Sequence, residues 1–398
     1  MAASDSDLVR KAEAILASAK SFKGDRAERY ELMKQVDLFY QHLEDPMDAM
    51  LKQFSSTSVS TSLAVMVASG AFEKMPKQGS ITAKELGALV KIEPNVIARL
   101  MRMLTGTGII ELTGDDTYAH TPKSLVYLQG AAVDFWNLCT NFTQCFLRFP
   151  EYFKTKTPEE LIDLRKTPYS FAYGGEGLTF YEVLASKPET LNMFNKAMMQ
   201  QEASLPTLGM FPFASLKNEV EAEPHRAFIV DIGGGRGQSL LLIQQETSNG
   251  FGTSSKMILQ DKPHVLDTIP PELVPGIEKV PYDFYTEQPI KNAHIYYIRR
   301  IMHNYQDNVC REILENIAKA MGPTSRLLIA EIIVPARTTV GEDMSTYWMD
   351  MVMLGIGGKE RRANEFSDLL QSVGLEMVKI WPAKVGNQAV VEARLKGA

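Results

Sequence analysis

The chain has 398 residues, 45% apolar and 23% charged, which is longer than one ordinary core supports and too apolar for disorder along most of its length. A formal charge of −6, from 42 basic and 48 acidic residues, argues against global attraction to nucleic acid, and no apolar run approaches the 18 or so residues of a membrane span. Three cysteines without a CxxC or Cys/His cluster exclude a disulfide framework and a zinc site, and the opening MAASDSDLVR lacks a secretory leader's features, so the expectation is a soluble, cytoplasmic protein with a small ligand and no metal.

The first two hundred residues read as helical. Residues 8–19 and 30–53 carry apolar positions at helical spacing, and residues 61–74 form an apolar helix that must pack on other helices or on a second subunit. From Ile81 the pattern changes. Thr82 and Glu85 have capping-box spacing before TAKELGALV, and a second helix follows with Pro94 in its first turn and Gly106 and Gly108 near its end. Two short strands, GIIEL and TYAHT, flank a GDD turn, which completes a winged helix-turn-helix. Between residues 81 and 121 four cations face five anions, a poor match to a phosphate backbone, so a scaffold role is favoured over DNA binding or a transcription factor that senses its ligand. Residues 126–220 are rich in aromatic rings, a minority of which should wall a cavity for a flat apolar substrate, and Thr157-Pro158-Glu159-Glu160 marks another helix start.

RAFIVDIGGGRGQSLLLIQQ is the most informative stretch. A strand ends at Asp231, a turn with Gly233, Gly235 and Gly237 follows, and a helix begins whose first N–H groups favour an anion. The spacing is G-x-G-x-G. The dinucleotide pattern would need glycine at 238, which is Gln, so a ligand with a carboxylate and no phosphate, S-adenosylmethionine (SAM), gains over a dinucleotide. A second strand ends at Asp261, placed for a ribose diol. A third ends at Asp283 of VPYDFY, where Asp283 and the adjoining Phe284 would meet adenine. AHIYYIRR and RLLIAEIIVP supply further strands, so an α/β, mostly parallel, doubly wound Rossmann-like sheet is predicted. His303 falls just beyond the fourth strand, at the edge where such sheets bind ligands. YWMDMVMLGIGG is a methionine-rich helix suited to an adaptable aromatic pocket, with Met353 and Met198 as lining candidates and Asp350 as a polar contact.

These motifs together resemble the SAM-dependent small-molecule O-methyltransferases of the plant caffeate type and their fungal secondary-metabolite branch, over nearly the whole chain. RRIMHNYQDNVCREIL is similar to the segment around that family's catalytic histidine, and IAEIIVP and GGKER to the two that follow. The resemblance implies a winged-helix dimerisation domain over 1–125 and a methyltransferase domain over 126–398, with 126–220 as substrate-covering helices in a homodimer. It also implies that His303 is the general base flanked by Glu331 and Glu360, that Arg299 contacts SAM, and that Asp231, Gly233, Asp261 and Asp283 lie on the cofactor side. The family usually has His-Asp-Trp where this chain has His303-Asn304-Tyr305, so Asn304 stands at a substrate-facing position without the usual acid. Some fungal relatives rearrange carbon skeletons with SAM as an electrostatic helper, and a pericyclase is therefore the alternative. A phenol with a pKa near 10 needs a base at neutral pH, an imidazole near 6.5 can serve, and a carboxylate on its other nitrogen would fix the tautomer.

Overall fold

The computed structural model describes residues 5–128, 130–199, 206–252 and 256–397. It divides into two compact units, Met1–Leu147 with Leu184–Gln201 and Arg148–Val183 with Glu202–Ala398. The helix Gly130–Leu147 and the helix Pro188–Met199 thus count with the first unit, because grouping follows space and not a single cut near residue 125.

The first unit opens with helices α1 (Asp5–Ser21), α2 (Arg26–Leu43) and α3 (Pro46–Ala68). The single helix expected over 30–53 is two. Asp45 accepts the Met47 N–H at 2.8 Å as an N-cap and Pro46 takes the first helical position, where its missing N–H costs nothing. The apolar helix expected over 61–74 is likewise interrupted at Ser69-Gly70, with Gly70 at φ +69°, before a last turn Ala71–Lys74. Its Leu63 and Met66 are buried with Phe72, Leu86, Ile97, Met101 and Tyr118, so this greasy stretch finds its cover inside the unit. The capping box is present, with Glu85 N–H on Thr82 Oγ1 at 3.2 Å and Thr82 N–H on Glu85 Oε2 at 2.9 Å. The helices Ala83–Val90 and Pro94–Gly106 and the hairpin Ile110–Gly114/Thr117–His120 form the expected winged helix.

The second unit is the doubly wound sheet. Its long strands are β1 (Ala227–Ile232), β2 (Lys256–Asp261), β3 (Ile277–Pro281), β4 (Ile295–Arg299), β5 (Arg326–Val334), β6 (Leu375–Pro382) and β7 (Gln388–Leu395), in spatial order β6-β7-β5-β4-β1-β2-β3, and a two-residue strand, Arg361–Arg362, pairs with the end of β5. The first five are parallel; β6 and β7 run antiparallel at one side, with Ala389 opposite Glu331. Alternate residues of β4 serve opposite faces. Tyr296 and Ile298 pack with the helices Asp307–Ala318 and Ala363–Gln371, Ile295 and Tyr297 with the helix Gln238–Glu246. Two local expectations differ. β3 stops at Pro281, which leaves Asp283 in the following loop, and Thr157–Glu160 leads only into a 3₁₀ turn, Glu160–Ile162. The chain builds from β1 outward to β3, then returns to β4 on the other side of β1. That reversal opens a crevice at the carboxyl ends of β1 and β4.

Candidate active site

The glycine turn fills the β1 side of this crevice. Gly233 and Gly234 donate to the Gln260 carbonyl at 2.8 and 3.1 Å, and Gly235 donates to Asp261 Oδ2 at 2.9 Å. Asp261 Oδ1 also accepts the Lys262 N–H at 2.7 Å, so both carboxylate oxygens are fixed by main chain and each keeps a second lone pair for a ligand. Asp231 lies directly under the turn. A Cβ on Gly234 would fall 2.5 Å from its Oδ2, whereas a Cβ on Gly235, at φ +58°, would meet nothing within 4 Å. Gly235 therefore combines a backbone that favours glycine with open space beside it, as a ligand cradle requires. Arg299, at the end of β4, reaches Ser239 Oγ of the helix Gln238–Glu246, which follows the glycine turn, at 3.5 Å. Asp283 caps its own loop through the Tyr285 N–H at 3.1 Å, and Phe284 meets Tyr305 edge-on at 6.1 Å between ring centres. Tyr305, noticed in the sequence only as a departure from Trp, thus joins Phe284 and Tyr285 in one aromatic cluster.

The β4 side carries the histidine. A Cβ on Gly233 would lie 2.9 Å from Ile301 Cδ1, which shows how closely the glycine turn and the histidine turn approach. His303 Nδ1 is 2.8 Å from Glu360 Oε1 and 3.7 Å from Glu331 Oε2. Glu331 spends Oε1 on the N–H groups of Ile301 and Met302, at 3.0 and 2.9 Å, so it holds the turn while Glu360 holds the ring. The segment Gly358–Arg361 grips the same turn at each consecutive position. A Cβ on Gly358 would fall 2.1 Å from the His303 carbonyl oxygen, and the Lys359 N–H donates to that oxygen at 2.9 Å. Arg361, fully buried, donates to the carbonyls of Met302 and Tyr305 at 2.8 Å each and to Asp307 at 2.7 Å. Sequence reasoning found Glu360 but neither Gly358 nor Arg361.

Burial dominates the electrostatics. It pushes His303 down to about 4, against the pull of Glu331, and the guanidinium of Arg300 adds to the lowering. Burial pushes Glu360 up to about 8 and also raises Glu331. All three groups thus lean toward their uncharged forms at rest. Among the described residues, one atom from each lies within 4.8 Å of the others, a spacing a cation could also use.

The remaining candidates fall as follows. Asp350 has a partner within the protein, since its Oδ1 accepts the Glu360 N–H at 2.8 Å. Met353 is buried on helix α4 (Ser345–Ile356), and its carbonyl accepts the Gly358 N–H at 2.8 Å. Asn304 donates its side-chain amide to the Arg300 carbonyl at 3.2 Å. Met198 is half-buried in the first unit.

Known proteins resemble the chain along its whole length. Residues 155–376 match the model of the O-methyltransferase domain and residues 51–130 that of the O-methyltransferase dimerisation domain. The chain is 50% identical to the O-methyltransferase hmp5 of Hypomyces subiculosus over 401 residues, covering 100% of both. The structure of OxaC in complex with sinefungin and meleagrin superposes with a TM-score of 0.85 at 29% identity, over 99% of this chain and 100% of that one. LepI in complex with SAM, at 23% identity and TM-score 0.82 over 99% and 100% of the two chains, shares the fold.

Proposed function

Because the chain belongs to the SAM-dependent O-methyltransferases, we propose that it methylates a hydroxyl on an aromatic or polyketide-like small molecule of secondary metabolism, with His303 as the general base. The observation that carries this reading is the 2.8 Å contact between His303 Nδ1 and Glu360, set one turn beyond β4 and against the glycine loop. Bound SAM supplies an electrophilic methyl group. Gly233, Gly235, Asp261 and Arg299 would hold it, together with Asp231, Asp283 and Phe284. Ionised Glu360 accepts a hydrogen bond from Nδ1–H, so that Nε2 is left unprotonated to take the acceptor's proton as the new bond forms, and the carboxylate stabilises the resulting imidazolium. Glu331 and Arg361 keep the turn from swinging, and orientation of this kind is worth effective molarities of roughly 10⁵ M or more. Met353 and Met198 are read as walls of the acceptor site, with Asn304 and Asp350 near its polar edge.

The proton-transfer pair also separates this reading from a SAM-assisted rearrangement, which needs no base. Mass spectrometry of reactions with SAM and a panel of phenols should show a gain of one methyl; an isomer of unchanged mass would instead support the pericyclase. His303→Gln should lower kcat by roughly 10²- to 10⁴-fold while the SAM affinity, read by calorimetry, stays within about twofold. Unchanged turnover removes His303 from the mechanism. A homodimer is part of the same reading, supported by the dimerisation-domain match and by apolar side chains exposed along α1–α3. No helix among the described residues is long and apolar enough to cross a membrane.

A further inference from the structure

Arg300 is the residue of the histidine turn whose side chain the surrounding clasp leaves unused. Its φ of +55° is a left-handed conformation that a side-chain-bearing residue seldom adopts. The turn holds it there through Arg300 N–H on the Ala330 carbonyl at 3.1 Å and the Asn304 amide on its own carbonyl at 3.2 Å. The side chain is half-buried, and among the described residues its guanidinium makes no hydrogen bond and has no carboxylate within 4 Å. The groups facing it are Glu331, Glu360, Arg299 and Tyr181, and Tyr181 in turn feels Asp261 at the cofactor end. Among the described residues, a cation with five N–H donors therefore lies within the electrostatic reach of Glu331 and Glu360 with its hydrogen bonds unmade.

We propose that Arg300 binds a carbonyl or carboxylate oxygen that neighbours the hydroxyl being methylated, so that the preferred acceptor is an ortho-acyl phenol or its equivalent. This rests on the methyltransferase reading above. A planar guanidinium suits two oxygens side by side, and a hydroxyl next to an acyl group presents such a pair once ionised. The same contact favours the phenolate over the phenol at the moment His303 takes the proton. A site that satisfies this half-buried donor favours the acceptor that carries the neighbouring oxygen, which makes Arg300 a specificity-determining residue.

Calorimetry on the full chain loaded with S-adenosylhomocysteine tests this with two probes, 2′,4′-dihydroxyacetophenone and resorcinol. The wild type should bind the acyl phenol at least about tenfold more tightly. Arg300→Gln should bring the two within about threefold, Arg300→Lys should keep part of the preference, and the affinity for S-adenosylhomocysteine should stay within about twofold. No preference in the wild type, binding of neither probe, or a preference that survives Arg300→Gln overturns the assignment. So does a tenfold loss of S-adenosylhomocysteine affinity in that variant, which would place Arg300 on the cofactor's carboxylate. Methyl transfer to phenols without a carbonyl, unaffected by Arg300→Gln, would remove this proposal and leave the proposed function standing. A probe preference that depends on Arg300 without methyl transfer to any phenol would do the reverse.

Discussion

The helical arm and the histidine turn are opposite cases of how a short segment is held. Helix α2 has no buried residue, and Tyr30, Met33, Val36, Tyr40 and Leu43 are all exposed on it; Met47, Met50, Leu51 and Phe54 continue that exposure along α3, Phe54 at 74%. An isolated helix of this length is marginal in water, and within the chain α2 is supported by α1, to which Gln35 is tied through Ser18 at 2.9 Å. The turn at His303 has the reverse character. Its amides are taken by Glu331, its carbonyls by Lys359 and Arg361, and its ring by Glu360. One region keeps a row of apolar side chains open; the other is held from several sides at once.

The comparison can be broken most severely at Gly358. Gly358→Val would drive a Cβ into the main-chain oxygen of His303, an atom no rotamer change can clear. A loss of about 3 kcal/mol or more is expected in denaturant unfolding. A loss under about 0.5 kcal/mol would show that the clasp is slack.

Glu360→Gln is the next step down, with kcat lower by about 10²-fold. Its pH dependence is the sharper readout. Below about 8 a protonated Glu360 donates to Nδ1 and leaves the proton on Nε2, so kcat/KM of the wild type should rise with pH toward a plateau above that value, with no inflection near 6.5. In Gln the rise should disappear. Stability runs the other way. Because the folded pKa lies above the ordinary glutamate value of 4.5, the folded state binds the extra proton, and this contribution is present below 4.5 and lost as pH climbs to about 8. Thermal melts across that window should show the decline in the wild type and a flatter profile in the variant.

At the arm, Met33→Glu with Phe54→Glu should convert a dimer to a monomer in light scattering, while the monomer's own unfolding free energy moves by no more than about 0.5 kcal/mol. A species of unchanged mass would mean that these side chains meet only water. The smallest effect is expected from chelation. His303 Nδ1 and Glu331 Oε1 are already hydrogen-bonded, so dialysis against EDTA should leave turnover within about 20% of the untreated value.

What the sequence made legible follows the same division. The glycine spacing after Asp231 and the histidine beyond β4 stand out in the sequence as local motifs at strand ends, whereas the two downstream glutamates come only from the resemblance of IAEIIVP and GGKER to the family's segments. The grip of Gly358 and Arg361 on residues 302–305 was not, since it runs through main-chain atoms between segments far apart in the chain and leaves no periodic trace. The break between α2 and α3 had a signal, Asp45-Pro46, that apolar periodicity overrode. Strands β6 and β7 were missed although VVEAR alternates, because the parallel βα pattern drew the reading toward the earlier strands.

Strand β7 comes last in the chain, yet it occupies an interior place in the sheet, and its Ala389 lies across from Glu331. During synthesis the glycine loop leaves the ribosome about 150 residues before β7 does. The strand that backs Glu331 is therefore made long after the loop on the β1 side of the crevice. A disturbance of β7 would therefore reach the strand that carries Glu331 directly, through the ladder that pairs Gln388–Ala393 with residues 327–332.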